Sequence, residues 1–474
     1  MLFNSLQFLG FFLIVTVTYF VIDHKYRWFL LLASSCYFYM AFIPVYILIL
    51  GFTIVIDYFA GIFLENSSGK SKKWFLIASL VANIGVLAVF KYYNFLNDNL
   101  SILLNANGYK NPIPHLSILL PIGLSFHTFQ AMAYTIEVYR GRQKAERNFG
   151  IYALYVMFYP QLVAGPIERP QNLIHQFYEK HEFDIDRIAE GIKQILWGLF
   201  KKSVIADRLT IYVDEVYNNV NHYQGFALII ATFFFAIQIY CDFSGYSDIA
   251  IGVAKVMGFK LMRNFNKPYF SKSVSEFWSR WHISLSTWFR DFLYISLGGN
   301  RVSIPRWYFN LFIVFLISGL WHGANWTFVI WGALNGIYLI SEILVQKHLK
   351  IALKADFGKA GRLLRIIFTF ILIDFSWIFF RANNLSDAFY VIKNIFGGLG
   401  QTIHLLLDKK AYLILILGFF ALEYFERNYD YPPFMKPQTK LSGYLVNAFI
   451  YSVFIWAIIV FGEFGNKEFI YFQF

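Results

Sequence analysis

The sequence predicts an all-α polytopic membrane protein, a helical bundle of about eleven transmembrane helices with additional re-entrant and interfacial helices. Composition is the first reason. The 474-residue chain is 58% hydrophobic and 21% aromatic, and only 15% of its residues are charged, whereas soluble domains carry about 25% charged residues. The second reason is that its apolar runs are far longer than the strands of roughly ten residues in a membrane barrel. The third is that no soluble domain longer than a loop interrupts these runs, so residues 1–474 are expected to form a single integral-membrane domain.

The apolar spans form two groups along the sequence, one before and one after residues 140–224. They occur at residues 5–22, 28–42, 44–64, 74–95 and 116–139, and then at 225–240, 308–345, 366–380, 411–425 and 443–462. Residues 308–345 are long enough for two passes. The first run lacks a basic start and a small-residue cleavage site, so it is interpreted as a membrane helix and not as a removable signal.

The net charge of +12 lies in short basic clusters between the spans, as expected of cytoplasmic loops. The loops at 23–27, 65–73 and 140–147 are therefore predicted to be cytoplasmic, which leaves the N-terminus outside. This distribution indicates membrane topology, and no nucleic-acid partner is expected. Cys36 and Cys241 both lie in apolar segments, so neither a disulfide nor a thiolate metal site is predicted.

Two stretches depart from the pattern of simple spans. Residues 148–170 are apolar but contain three prolines and a glycine in their second half, which favours a re-entrant segment. Residues 185–213 alternate apolar positions with Lys193, Lys201, Lys202 and Arg208, a pattern that predicts an amphipathic helix at the cytoplasmic surface.

Polar residues inside apolar surroundings mark the candidate site. Asp242 and Ser244 lie at the end of the span at 225–240, where a polar lining and helix capping are equally good explanations. Residues 275–291 contain three tryptophans, two arginines and His282, which indicates an interfacial or funnel-lining helix pair.

His322 lies in the middle of the long apolar run at 308–345, where an ionisable ring needs a partner or a function. Gly319 and Gly323 would allow a backbone or a ligand to approach closely. Trp321 and Trp326 supply amphipathic rings. The stretch is typical of a cavity wall, although a buried histidine bonded to a neighbouring helix would give the same pattern.

The motifs exclude several chemistries. The chain contains no His-Glu-x-x-His zinc motif, no Gly-x-Ser-x-Gly elbow, no phosphate-binding glycine loop and no paired cysteines. Hydrolysis by a metal or a serine nucleophile is therefore disfavoured, and no metal is expected. Group transfer and transport remain, with His282 or His322 as a general base or as part of a proton relay. His127 also lies within a span, where a hydrogen bond to a neighbouring helix is the commoner role.

Seven motifs, taken in order, resemble the membrane-bound O-acyltransferase superfamily, and in particular its bacterial branch of alginate, peptidoglycan and teichoic-acid acyltransferases. They lie at residues 120–130, 159–169, 198–208, 242–248, 277–288, 320–323 and 377–382. The resemblance implies a ring of helices around a central tunnel, with walls at residues 148–170 and 241–300. It also implies that His322 of the Trp-His-Gly motif is catalytic and that His282 of the Arg-Trp-His motif lies near it.

The hypothesis that follows is an O-acetyltransferase in which His322 removes a proton from the acceptor hydroxyl, while His282, Asn325 and Ser318 orient the groups or stabilise the oxyanion. Direct nucleophilic transfer through an acyl-imidazole is an open alternative. Further candidates for substrate contact are Trp321, Trp281, Arg280, Asp242 and Ser244.

The resemblance implies no bound cofactor and an acyl donor that is either acetyl-CoA or an acylated carrier protein. It also implies multi-pass insertion in the cytoplasmic (inner) membrane with membrane lipid as a partner, an exported or cell-envelope polysaccharide as acceptor, and an extracytoplasmic acetyltransferase as partner protein. Two alternatives remain open: D-alanyl transfer to a cell-wall polymer, and a transporter, although no internal repeat supports the latter.

Overall fold

A computed structural model describes residues 1–117, 121–163, 165–348, 358–397, 410–425, 441–463 and 469–470. All regular secondary structure in these ranges is helical. The prediction of an all-α protein is therefore confirmed. The helices fall into two compact units, one formed mainly by Met1–Ile188 and Val253–Met262 and the other by Ala189–Gly252 and Arg263–Gln473.

The helices of the first half are α1 (Leu6–Val21), α2 (His24–Met40), α3 (Ile47–Asn66), α4 (Gly69–Leu87), α5 (Tyr93–Ala106), α6 (Leu124–Tyr139), α7 (Phe149–Met157), α8 (Tyr159–Leu162) and α9 (Pro170–Leu173). Those of the second half are α10 (Ile185–Leu199), α11 (Asp207–Tyr217), α12 (Phe226–Met257), α13 (Val274–Arg280), α14 (Ile283–Trp288), α15 (Ile304–His322), α16 (Trp326–His348), α17 (Gly358–Arg381), α18 (Leu385–Asn394), α19 (Lys410–Phe425) and α20 (Leu441–Phe461). Single π-helical segments join α4 to α5, α10 to α11, and α14 to the loop before α15.

Six helical stretches in the described ranges are long and apolar enough to cross a membrane: Pro44–Asn66, Gly69–Ala106, Phe226–Met257, Ile304–His322, Trp326–Lys347 and Gly358–Arg381. Three shorter apolar helices lie at Leu6–Val21, Tyr412–Tyr424 and Ala448–Phe461. The chain is a multi-pass membrane protein, as predicted, whereas the count of about eleven spans is not confirmed. The beginning of the span predicted at 116–139 includes residues 118–120, which lie outside the described ranges.

A buried polar cluster joins α3, α4 and α6 in the first unit. The Asp57 carboxylate accepts hydrogen bonds from the Ser79 hydroxyl at 2.6 Å and from the Asn83 amide at 2.8 Å. The Ser79 hydroxyl also lies 3.0 Å from Thr135 Oγ1. All four side chains are fully buried. Because a buried polar group must find partners within the protein, this cluster fixes how the three helices pack.

The predicted interruption at 148–170 is present. Helix α7 ends at Met157 and the single turn of α8 follows; no helix includes Val163 or residues 165–169, and α9 then begins at Pro170. The prolines account for these breaks because each removes a backbone donor and restricts the residue before it.

The surface helix predicted at 185–213 differs from the expectation. It is interrupted by a π-helical segment at Phe200–Ala206, and Lys201 and Lys202 are only 4% and 1% exposed. A Cβ atom on Gly198 would lie 2.6 Å from the carbonyl oxygen of Gly245, so α10 and α12 approach each other closely. The lysines are buried because α12 supplies carboxylates for them.

Helix α12 continues without a break from Phe226 to Met257. Asp242 and Ser244 therefore lie in the middle of a helix, and capping does not explain them. Lys202 Nζ lies 2.6 Å from Asp242 and 2.8 Å from Asp207. Lys201 pairs with Asp248 and donates to Ser244 Oγ at 3.0 Å.

Candidate active site: two histidines in one apolar cavity

The α15–α16 hairpin positions His322, which is the last residue of α15. A Cβ atom on Gly319 would lie 2.3 Å from the carbonyl oxygen of Phe328 and 3.2 Å from Cα of Gly332. The glycine is thus required for close approach of the two helix backbones. This packing fixes the end of α15, and with it the histidine.

His322 is 4% exposed and is surrounded by aromatic rings. Its ring centroid lies 4.9 Å from that of Trp321, 5.0 Å from that of Trp331 and 5.4 Å from that of Phe380. Trp331 in turn stacks on Trp377 at 5.7 Å. The rings restrict how the imidazole can turn and keep bulk water away from it.

His282 connects α13 to α14 and has a positive φ of 43°. This left-handed conformation is unfavourable for a residue with a side chain, and it persists only where the surrounding structure enforces it. The enforcing contacts are two backbone hydrogen bonds on either side: Ile283 N–H donates to the Asn264 carbonyl at 2.8 Å, and Asn266 N–H donates to the Arg280 carbonyl at 2.9 Å.

Asn264 also determines the orientation and tautomer of the His282 ring. Its Oδ1 accepts from the backbone N–H and the hydroxyl of Ser284, at 3.2 and 2.9 Å, which identifies this atom as the amide oxygen. Nδ1 of His282 lies 3.1 Å from the same oxygen and must therefore donate its proton. In the neutral ring, Nε2 then carries the basic lone pair.

Both histidines line one cavity of about 450 Å³ in the second unit. Its walls come from residues 275–294, from one face of α15 and from α16; the α15 contribution is Trp307, Leu311, Val314, Phe315, Ser318 and His322. Because α15 rises about 1.5 Å per residue, this face extends roughly 22 Å along the helix. The cavity is thus long and mainly apolar, within the usual size range of ligand sites.

The end of the cavity away from His322 lies around Trp307 of α15. It includes Arg290, Tyr294 and Trp307, and the Trp307 indole donates to the Tyr294 hydroxyl at 2.8 Å. Arg290 is exposed and pairs with Asp291 at 2.8 Å. Among the described residues that line the cavity, one arginine is present and no aspartate or glutamate.

Several predicted site residues come together here. Ser318 and Trp281 line the cavity with the two histidines. Trp321 contacts both imidazoles, with its ring 6.3 Å from that of His282 and 4.9 Å from that of His322.

Four other predicted substrate contacts do not line this cavity, because their side chains are bonded elsewhere. Arg280 pairs with Glu276 at 2.5 Å. Asn325 accepts from the Thr327 backbone at 3.0 Å and donates to the Asn383 carbonyl at 3.2 Å, so it connects two chain segments. Asp242 and Ser244 belong to the buried lysine clusters of α12.

Sequence reasoning did not find Asn264, nor the ring set of Trp331, Trp377 and Phe380. Asn264 lies in an irregular loop, where no spacing connects it with His282. The rings belong to apolar spans, in which aromatic residues usually face lipid or the core. The motif at residues 377–382 was the one available signal for part of this set.

This geometry agrees with comparison to known proteins. A sequence model of the membrane-bound O-acyltransferase family matches residues 147–381, a range that contains both histidines, Asn264 and the cavity. Together with the relatives below, this match shows that the chain belongs to the membrane-bound O-acyltransferase family, and the protein is an O-acyltransferase.

Individual relatives are similar over most of the chain. The probable alginate O-acetylase of Pseudomonas aeruginosa is 40% identical over 401 residues, covering 84% of this chain and 75% of the relative. The peptidoglycan O-acetyltransferase of Helicobacter pylori is 34% identical, covering 81% and 76%. The teichoic acid D-alanyltransferase of Bacillus subtilis is 26% identical, covering 57% and 70%.

Proposed function

We propose that the enzyme transfers an acetyl group from a thioester donor in the cytoplasm to a hydroxyl group destined for an exported or cell-envelope polysaccharide, and that it does so in the cytoplasmic membrane. The observation that carries the proposal is the pair of buried histidines in one apolar cavity of an O-acyltransferase. Relatives that act on alginate and peptidoglycan support a polysaccharide acceptor. Membership of an acyltransferase family argues against the transporter alternative.

His322 is the general base in this mechanism. It takes the proton of the acceptor hydroxyl while the oxygen attacks the thioester carbonyl; the C–S bond then breaks and the departing thiolate receives the proton. The base becomes positively charged during the step. Its place at the carbonyl end of α15 supports this role, because a helix C-terminus stabilises positive charge.

His282 and Ser318 orient the reacting groups. Nε2 of His282 is the basic ring nitrogen, held in place through Asn264, and it accepts a hydrogen bond from a second, neighbouring hydroxyl of the acceptor, while the reacting hydroxyl gives its proton to His322. Ser318 lies one helical turn before His322 on the cavity face of α15, where its hydroxyl can donate to the developing oxyanion. Asn325, whose amide is bonded elsewhere, is not needed for this role.

The donor is a phosphopantetheine thioester, the arm that coenzyme A and acyl carrier proteins share. The supporting geometry is a mainly apolar cavity that extends roughly 22 Å along α15. It has histidines at one end and Arg290 at the other. The thioester would reach His322 while an anionic phosphate remains near Arg290.

The lining favours an acetyl group over a D-alanyl group. A D-alanyl ester carries an ammonium charge, which is costly to place in an apolar cavity without a carboxylate partner. The described lining residues include no carboxylate and one arginine. A neutral acetyl group carries no such cost.

Passage of the acyl group across the membrane remains part of the proposal, as does its delivery through an extracytoplasmic acetyltransferase partner. The acyl-imidazole route is compatible with such a partner, because His322 could hold the acetyl group between donor and acceptor.

The test uses washed membranes that contain the enzyme, incubated with labelled acetyl-CoA, acetyl carrier protein or D-alanyl carrier protein together with the polysaccharide acceptor. We expect acetyl transfer from at least one acetyl donor, none from the D-alanyl donor, and loss of transfer in His322→Ala at equal protein level. Transfer of D-alanine in place of acetyl would contradict the proposal.

A further inference from the structure

Two residues at the end of the chain, Phe469 and Ile470, are docked on α12. Phe469 is fully buried and Ile470 is 3% exposed. The Ile470 backbone N–H donates to Asp242 Oδ2 at 2.8 Å, and the Phe469 ring lies 4.5 Å from the Tyr246 ring. Because Lys202 lies 2.6 Å from the other oxygen of Asp242, the acceptor is a charged carboxylate fixed in position.

The part of α12 that contacts Phe469 and Ile470 also contacts His282. The Phe243 ring stands perpendicular to the His282 ring at 4.5 Å, and Phe469 lies 5.5 Å from Phe243 on another side. Ser247 Oγ, one turn further along, accepts from the Asn264 amide at 3.2 Å. Residues 242–247 therefore contact both Phe469 and Ile470, and also His282 and Asn264, which holds it.

We propose that Phe469 and Ile470 are positioning residues for His282: the docked chain end holds the turn at 242–247, and this turn sets the place of the imidazole through Phe243 and through Ser247–Asn264. The proposal rests on the proposed function, in which His282 takes part in the transfer step. It also explains why Asp242 is charged and buried without lining the cavity. A misplacement of about 1 Å in a catalytic group lowers turnover strongly.

A different result is expected if Phe469 and Ile470 only stabilise the fold. Loss of buried side chains would then lower the amount of folded protein, while each folded molecule would keep its turnover number. Phe454 of α20 provides a matched control, because it packs on Phe200 at 4.9 Å and on Trp197 at 6.1 Å instead of on Phe243.

The experiment measures kcat and the KM for the acetyl donor in full-length enzyme in membranes, normalised to folded protein. We expect Phe469→Ala to lower kcat on the order of tenfold with little change in KM, and Phe469→Leu, which restores apolar volume, to recover most of that loss. Phe454→Ala should lower the amount of folded enzyme and leave its kcat within about twofold.

A second pair of variants tests the hydrogen bond that the Ile470 backbone N–H donates to Asp242. Ile470→Ala keeps the backbone N–H, whereas Ile470→Pro removes it. We expect Ile470→Pro to have a clearly lower kcat than Ile470→Ala.

Unchanged kcat in both Phe469→Ala and Ile470→Pro would overturn the positioning proposal, and so would an equal loss of kcat in Phe454→Ala. These outcomes differ from failure of the proposed function, in which the wild type itself would transfer no acetyl group.

Discussion

The two cavity histidines are held by different kinds of structure. His322 ends a long regular helix and is surrounded by the rings of Trp321, Trp331 and Phe380. His282 lies in a strained, irregular connection, where Asn264 holds its Nδ1. Packing against rings restricts an imidazole without choosing its protonation state, whereas a hydrogen bond to an amide oxygen fixes one tautomer. The Asn264 contact suits His282 to keeping its orientation, and the position of His322 at the C-terminal end of α15 suits it to carrying positive charge during the reaction.

The largest effect is expected from His322. His322→Ala should lower acetyl transfer about a thousandfold, because the general base is lost. The measurement is the acetyl ester content of polysaccharide from alginate-producing cells that lack their own O-acetylase, with the membrane level of the variant matched to wild type. Ester content near the wild-type level would rule out His322 as the base.

The next effect concerns the tautomer of His282. Asn264→Leu removes the acceptor of Nδ1–H and should lower kcat roughly 10- to 100-fold, as for other groups that orient a functional histidine. Asn264→Asp keeps an acceptor oxygen and should retain more activity than the leucine variant. Equal loss in both variants, at equal folded protein, would mean that Asn264 does not act through the hydrogen bond.

A third variant tests the apolar cavity between the histidines and Arg290. Val314→Trp places a large ring on the cavity face of α15 and should raise the donor KM about tenfold by overfilling the space. Ile317→Trp is the matched control, because Ile317 is 37% exposed and is not among the lining residues. Similar KM values for the two variants would show that the donor does not occupy this cavity.

The smallest effect is expected from Arg290, the exposed arginine that lines the cavity. Arg290→Ala should raise the KM for acetyl-CoA a few-fold, because a solvent-exposed charge contributes little binding energy. With an acetyl-pantetheine donor that lacks phosphate, the variant and wild type should be equal. Arg301→Ala, exposed and outside the lining, serves as control. An equal rise with both donors would assign Arg290 a role other than phosphate binding.

Membrane insertion and the His322 hairpin could be predicted because length and hydropathy determine them directly. An uninterrupted run at 308–345 leaves few alternatives to two packed helices, and a histidine within it is conspicuous. The position of His282 next to His322 was implied only by family resemblance.

Other features depend on tertiary contacts that no local pattern contains. The lysines of α10 and of the π-helical segment after it predicted a helix at the membrane surface. In the structure, Lys202 is buried and pairs with Asp242, 40 residues further along the chain. Asn264 reaches His282 from a loop with no periodic signal, and Phe469 contacts α12 from more than 200 residues along the chain, where no spacing connects the two. Asp242 was predicted as a substrate contact from its polar character in an apolar stretch, whereas its partners in the structure are a lysine and a backbone N–H.

The measurement that tests the central claim most directly is a double-mutant cycle on kcat with His322→Ala, His282→Ala and the double variant, in membranes with matched protein levels. If both imidazoles act on the same transfer step in one cavity, the double variant should be little worse than His322→Ala alone, because groups that act as a unit are strongly non-additive. If the two losses multiply, the histidines act independently and the account of a shared site is wrong.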